Sequence, residues 1–147
     1  MYRAAGYLTQ CVEVRSGGEV IAPPYQHIHF DDQPSGPLTV WRGAEARTEG
    51  KGMSWTFYAD CAEQFAVANL VREDDQPAVF RATIPGRAVL AVFCDEREQE
   101  VVVNPHMLRG RATPEAVADA ALQARVMEAV ADRQRGRARL ERLFGAN

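Results

Sequence analysis

From residue 38 onward the chain alternates short apolar stretches with polar turns, and then changes to a helical pattern. Residues 38–41 read as a strand, the polar, glycine-rich run 45–52 as a loop, and residues 53–57 as a second strand. Asp60 and Glu63 stand at capping-box spacing, and Cys61, Phe65, Ala68 and Ala62, Ala66, Leu70 recur at helical intervals, which predicts a helix from residue 60 to about 72. Two β-rich runs, 78–84 and 88–93, are separated by the turn chemistry of Pro85-Gly86, and a last strand over 99–103 stops at Asn104-Pro105. Thr113 then offers an N-cap and Pro114 a first helical residue, and Val117, Leu122, Val126, Met127 and Val130 form an apolar stripe suited to domain packing. This helical segment is expected over about 114–144, with a break or bend at Gly136.

The first 37 residues are patterned more weakly. Val12 and Val14 alternate ahead of a Ser16-Gly17-Gly18 turn, which predicts a hairpin before Val20-Ile21, while Pro23-Pro24 and the Asp/Pro/Gly cluster at 31–37 predict a loop. No internal repeat is visible. A chain of 147 residues, 46% hydrophobic and 25% charged, is expected to form one globular domain over 1–147. The net charge of −3 provides no general attraction to phosphate polymers, so contact with nucleic acid would need a local patch, and a sequence-independent nucleic-acid binder is not expected.

Cys11, Cys61 and Cys94 lack the paired spacing of a zinc site and the density of a disulfide scaffold, and read as thiols in a reducing compartment. Residues 1–8 lack the apolar run of a signal peptide, and no segment reaches membrane-spanning length. The expectation is a cytoplasmic protein without a membrane partner; delivery into another cell by a route that needs no cleaved signal stays open.

Three stretches carry the candidate chemistry: Val40-Trp41-Arg42-Gly43, Gly52-Met53-Ser54-Trp55-Thr56 and Glu98-Gln99-Glu100-Val101-Val102-Val103. Residues two apart in a strand project to one side, so Ser54 and Thr56 share a face opposite Met53, Trp55 and Phe57. Glu98 and Glu100 share a face by the same geometry, and two carboxylates side by side need solvent, a cation or hydroxyl donors. Arg42 and the Ser54 and Thr56 hydroxyls are the candidates. One cation, paired hydroxyls and a carboxylate suit cleavage of a nicotinamide–ribose bond, whose oxocarbenium-like state a carboxylate stabilises. Trp41, Phe57 and Tyr58 are candidates to stack on a ring of the ligand, Tyr58 foremost because it lies just outside the strand; aromatics beside strands also serve as core. His27 and His29 alternate in a manner open to metal binding, but without acidic or thiol partners at ligand spacing they read as loop residues, and no metal is expected.

The order aromatic-Arg-Gly, then Ser-aromatic-Thr followed by a short helix, then Glu-x-Glu opening a strand of β-branched residues resembles the Arg-Ser-Glu branch of the mono-ADP-ribosyltransferases, which includes cholera-like and clostridial binary toxins. The resemblance covers roughly residues 38–105. It implies an α+β, ADP-ribosyltransferase-like fold, with two small β-sheets forming a cleft for NAD, flanking helices and a C-terminal helix. It implies that Arg42 contacts the dinucleotide, that Ser54 orients the catalytic glutamate and that Glu100 contacts the nicotinamide ribose. Glu98 would activate or position an acceptor, and Gly43 would lie at the nicotinamide. Thr56 stands where many members have Ser and keeps the hydroxyl. The segment 93–97 is short for the loop that selects target proteins. Glu96-Arg97-Glu98 is a second Glu-x-Glu, but the valines at 101–103 favour the register that ends at Glu100, directly before a buried strand.

The expected activity is therefore transfer of ADP-ribose from NAD, as substrate, to a macromolecular target, a protein in the first instance, with release of nicotinamide. A toxin, a phage-encoded modifier of host machinery or a regulatory modifier would fit. Two other readings stand beside it: an NAD glycohydrolase, in which water replaces the acceptor, and a non-catalytic module recruiting a partner through the arginine-rich segment 133–142.

Overall fold

The computed structural model describes residues 8–11, 15–16, 19–20, 34–70, 72–94 and 99–145. The fold is α+β, with two small sheets, a short helix and a long C-terminal helix. The strands are β1 (Leu8–Cys11), β2 (Arg15–Ser16), β3 (Glu19–Val20), β4 (Pro37–Glu45), β5 (Ser54–Trp55), β6 (Pro77–Pro85), β7 (Val89–Cys94), β8 (Gln99–Val103) and β9 (Glu115–Ala116). Helix α1 spans Ala59–Ala68 and α2 spans Ala120–Phe144. One sheet has the order β1-β7-β8-β5 and the other β4-β6-β9, while β2 and β3 form a separate antiparallel pair. The β1–β7 pairing is parallel, so the N-terminal segment adds a strand to the sheet that carries β8.

Strand periodicity sorts the side chains into an inter-sheet core. Val40, Ala44, Phe80, Ala82 and Ile84 from the β4–β6 sheet meet Trp55, Val89, Val92, Val101 and Val103 from the other. Val89 and Val92 both face this core although they are three residues apart, because the β7–β8 register slips between Val89 and Ala91, the signature of a bulge. Full burial of each Val or Ile stabilises by about 1.5–3 kcal/mol, so this layer holds the two sheets together. They are also joined at one backbone position: Trp41 of β4 and Thr56, just past β5, exchange two hydrogen bonds of 2.8 Å.

The outer face of the β4–β6 sheet is half covered by helices. Ala62 and Ala66 of α1 pack with Val79 and with Leu122 and Val126 of α2. Gly43 permits this approach, since a Cβ there would lie 1.8 Å from the Ala62 carbonyl oxygen. Arg125 of α2 makes two hydrogen bonds to Glu63 of α1, at 2.6 and 3.2 Å.

Several elements depart from the sequence pattern for identifiable reasons. Helix α1 starts after Tyr58, not at Asp60; Asp60 lies in the first turn and accepts from the Cys61 amide, and Glu63 is engaged by Arg125, so no capping box forms. The helix ends at Ala68 because Asp75 captures the Arg72 amide at 2.7 Å and closes a turn. Strand β4 runs on through Arg42 to Glu45, paired along its length with β6.

The segment beginning at Thr113 does not enter a helix. Residues 115–116 add to the edge of β6, and the Val117 amide donates to Val79 O at 2.8 Å, so α2 begins only after Asp119, whose carboxylate accepts from Leu122 N. The Thr113 hydroxyl donates to the Gly110 carbonyl. Helix α2 continues unbroken through Gly136, around which there is open space. Of the apolar stripe, Leu122 and Val126 are buried while Met127 is exposed. The expected hairpin appears as the β2–β3 pair, whereas Val12, Val14, Ile21 and the expected loop over 21–33, with His27 and His29, lie outside the described residues.

Candidate functional site

The end of β4, the C-terminal half of α1 and the β5–β8 ladder enclose a cleft of about 440 Å³ whose lining includes Trp41, Arg42, Gly43, Ser54, Thr56 and Glu100. The three stretches that are far apart in sequence thus converge on one cavity, of a size usual for small-molecule sites. Ladder register accounts for part of this. Ser54 pairs with Val102 and Trp55 with Val101, so Thr56, one residue further, falls beside Glu100. Trp55 points into the core at 2% exposure, leaving Ser54 and Thr56 on the other face of the strand.

Arg42 is half-buried in β4 between the buried positions Val40 and Ala44. Its Nη1 donates to the Ser54 carbonyl oxygen at 2.7 Å, and its Nε is shielded from solvent with no hydrogen-bond partner. Among the described residues no carboxylate pairs with it. Burial lowers its pKa from the ordinary arginine value, because desolvation disfavours the cation. Gly52 covers the guanidinium: at φ 156°, a Cβ there would lie 2.5 Å from both Cζ and Nη2. The Trp55 indole N–H donates to the Gly52 carbonyl and holds that turn in place.

Ser54 is exposed at the mouth, whereas Thr56 is 1% exposed and its hydroxyl accepts from the Tyr58 amide at 3.2 Å. The paired hydroxyls therefore divide: Thr56 shapes the turn from strand to α1 and Ser54 faces the ligand space. Among the described residues two carboxylates line the cleft. Glu45 is committed, accepting from the Arg47 and Gln76 amides and pairing with Arg47 Nε at 3.3 Å. Glu100 is half-buried, and among the described residues its carboxylate forms neither a hydrogen bond nor an ion pair.

Gly43 serves two purposes. Its missing side chain admits α1, and its backbone groups point to the same strand edge as those of Trp41, since alternate residues in a ladder share a side. Beyond Thr56 the chain turns into α1, so this edge of β4 faces the cleft; the Gly43 carbonyl takes a 3.4 Å contact from Asn69 Nδ2.

Tyr58 is placed differently from the expectation for a stacking residue. It is the N-cap position of α1, packs against the inter-sheet core and does not line the cleft. The aromatic residues that do line it are Trp41, Trp55 and Phe65. Phe65 and Asn69 were not singled out by the sequence. Phe65 is one apolar residue in a helical stripe, and Asn69 becomes a cleft residue only as the C-cap of α1. Glu98 lies outside the described residues.

Chemically, among the described residues the cleft offers one partly desolvated cation, one uncommitted carboxylate, a hydroxyl and a strand edge able to pair with an amide. An unpaired cation and an unpaired anion in one cavity complement a ligand that is anionic in one part and carries or develops positive charge in another. Among the described residues no group of three or more His, Cys, Asp or Glu side chains is arranged to hold a metal ion. Cys61 is a buried thiol, and no described helix is long and apolar enough to cross a membrane. Comparison with protein-family models, curated proteins and solved structures finds no match for this chain.

Proposed function

We propose that this protein is a mono-ADP-ribosyltransferase with an ADP-ribosyltransferase-like fold, which cleaves NAD in the β4–β5–β8 cleft and transfers ADP-ribose to a macromolecular acceptor. The observation that supports this most is the convergence of Arg42, Ser54 and Glu100 on one cavity, with neither charge in an ion pair among the described residues. NAD carries a pyrophosphate and a cationic nicotinamide ring, and its cleavage develops positive charge on the ribose.

In this reading Arg42 holds the anionic part of the dinucleotide, and the Gly43 strand edge pairs with the nicotinamide carboxamide. Ser54 orients Glu100, whose carboxylate stabilises the oxocarbenium-like ribose as the C1′–N bond breaks. The bonding pair leaves with nicotinamide, which becomes neutral. The acceptor then bonds to C1′ and releases its proton, with Glu98 as the base. The protein target is the acceptor class retained from the resemblance.

The test is nicotinamide release from NAD by the wild type and by Glu100→Gln, with and without cell lysate. Loss of one preorganised charge from the transition state is expected to lower release about 10²- to 10³-fold while the fold is kept. Release that rises with lysate supports a transferase. Glu100-dependent release indifferent to lysate assigns a glycohydrolase. Near-wild-type release by Glu100→Gln removes Glu100 from the mechanism, and no release by either protein leaves the binding-module reading.

A further inference from the structure

A second concave surface lies on the outer face of the β4–β6–β9 sheet, beyond the part covered by α1 and α2, and the proposed reaction leaves most of it unused. Sheet register builds it in rows. Trp41 pairs with Arg81 and Arg81 with Glu115, while Thr39 pairs with Thr83 in the next row. With Arg111, from the turn that leads into β9, they line a concavity of about 440 Å³. All but Trp41 are exposed, and Trp41 also lines the candidate NAD cleft.

Among the described residues the cations of this face have no carboxylate partner. Arg47, Lys51, Arg125 and Arg135 each pair with a carboxylate, but among the described residues neither Arg81 nor Arg111 does, although Glu115 stands directly beside Arg81 in register. Two guanidinium groups without a carboxylate partner among the described residues, a pair of threonine hydroxyls and a half-buried indole that also packs against the α1–α2 apolar cluster form a combination with a specific chemical complement. Guanidinium groups bind phosphate oxygens in bidentate fashion, and an aromatic side chain on a sheet stacks an unpaired base. A duplex hides its base faces from such an indole, and a small free anion calls for convergent, enclosing donors, not two cations spread over a sheet.

We propose that this sheet face binds single-stranded nucleic acid, with phosphates on Arg81 and Arg111 and a base against Trp41. It is the local patch that nucleic-acid contact requires in a chain of net charge −3. The proposal stands apart from NAD chemistry, and its test needs none.

The measurement is fluorescence anisotropy of a labelled single-stranded oligonucleotide titrated with the full chain over a range of salt. Two phosphate contacts predict a slope of log K against log salt of about −1.4, at about 0.7 for each phosphate on a single strand. Replacing both cations, Arg81→Ala with Arg111→Ala, is expected to flatten that slope and weaken binding about tenfold at low salt. Trp41→Leu is expected to weaken it roughly tenfold through lost stacking. Glu115→Gln, which removes a repelling charge, is expected to tighten it. Arg81→Lys keeps the charge but loses the bidentate fork, and is expected to keep the salt slope with weaker binding.

Absence of wild-type binding at low salt overturns the proposal, as does wild-type affinity in the double arginine variant. Loss confined to Arg135→Ala with Arg139→Ala would place the contact on the far end of α2 and overturn it also. Competition by free AMP that equals the unlabelled oligonucleotide would identify a mononucleotide site and overturn the polymer assignment.

Discussion

Arg42 and Arg47 lie inside and just past the same strand, and the fold treats them in opposite ways. Arg47 is exposed and has Glu45, Asp74 and Asp75 within 4.0 Å; its hydrogen bond to Asp74, then the nearby charges, raise its pKa. Arg42 is partly buried, touches one backbone carbonyl, pairs with no described carboxylate, and has its pKa lowered by desolvation. The Arg47 ion pairs therefore form where solvent screening makes each of them weak, whereas Arg42 stands without a described carboxylate where charge is costly. The second arrangement would suit an anion from outside the chain, as the proposed function requires.

The sign of the pKa shift sharpens this. Because the folded state lowers the pKa of Arg42, its cation is less favourable in the fold than in the unfolded chain. That cost is constant wherever both states are charged, which includes neutral pH, and is relieved only as pH rises toward the lowered value. A bound anion relieves it at neutral pH.

The largest expected effect follows directly. NAD at about a hundred times its Kd should stabilise the wild type by about 2.7 kcal/mol, read as a rise in the thermal midpoint, and Arg42→Gln should lose most of that response. Equal responses in the two proteins would break the contrast between the arginines.

Next comes the residue that covers Arg42. Gly52→Ala sets a methyl group against the guanidinium at a φ that side chains rarely adopt, with an expected cost of about 1–3 kcal/mol in urea unfolding. An unchanged midpoint would mean that Arg42 is free to move aside and is not held.

The smallest effect is at the surface. Arg47→Ala should leave the urea midpoint unchanged in high salt and shift it barely in low salt, as expected of screened pairs. A large loss there would show that this network, and not the buried cation, carries the structural weight.

Local pattern located most strands because burial on one or both faces writes itself into strand periodicity. Residues 78–84, 88–93 and 99–103 match β6, β7 and β8 closely. It misplaced the end of α1 and the start of α2, where side chains distant in sequence compete for the same backbone groups. Asp75 closing on Arg72 shortened α1, and the open edge of β6 drew residues 115–116 away from α2. Arg42, Ser54 and Glu100 were visible as candidates because their residue types and order carry chemistry. Phe65 and Asn69 were not, since their presence in the cleft depends on how α1 sits on Gly43.

By itself, then, the sequence determined most of the strands, the middle of both helices and which polar side chains share a strand face, because these follow from periods of two and of 3.6 residues. Tertiary structure alone decided that Trp41 and Thr56 tie the two sheets together, that α1 closes against Gly43, and that Arg42 is left without a described carboxylate while Glu45 is committed to Arg47. Those outcomes depend on register and on the meeting of residues far apart along the chain, which no local pattern encodes.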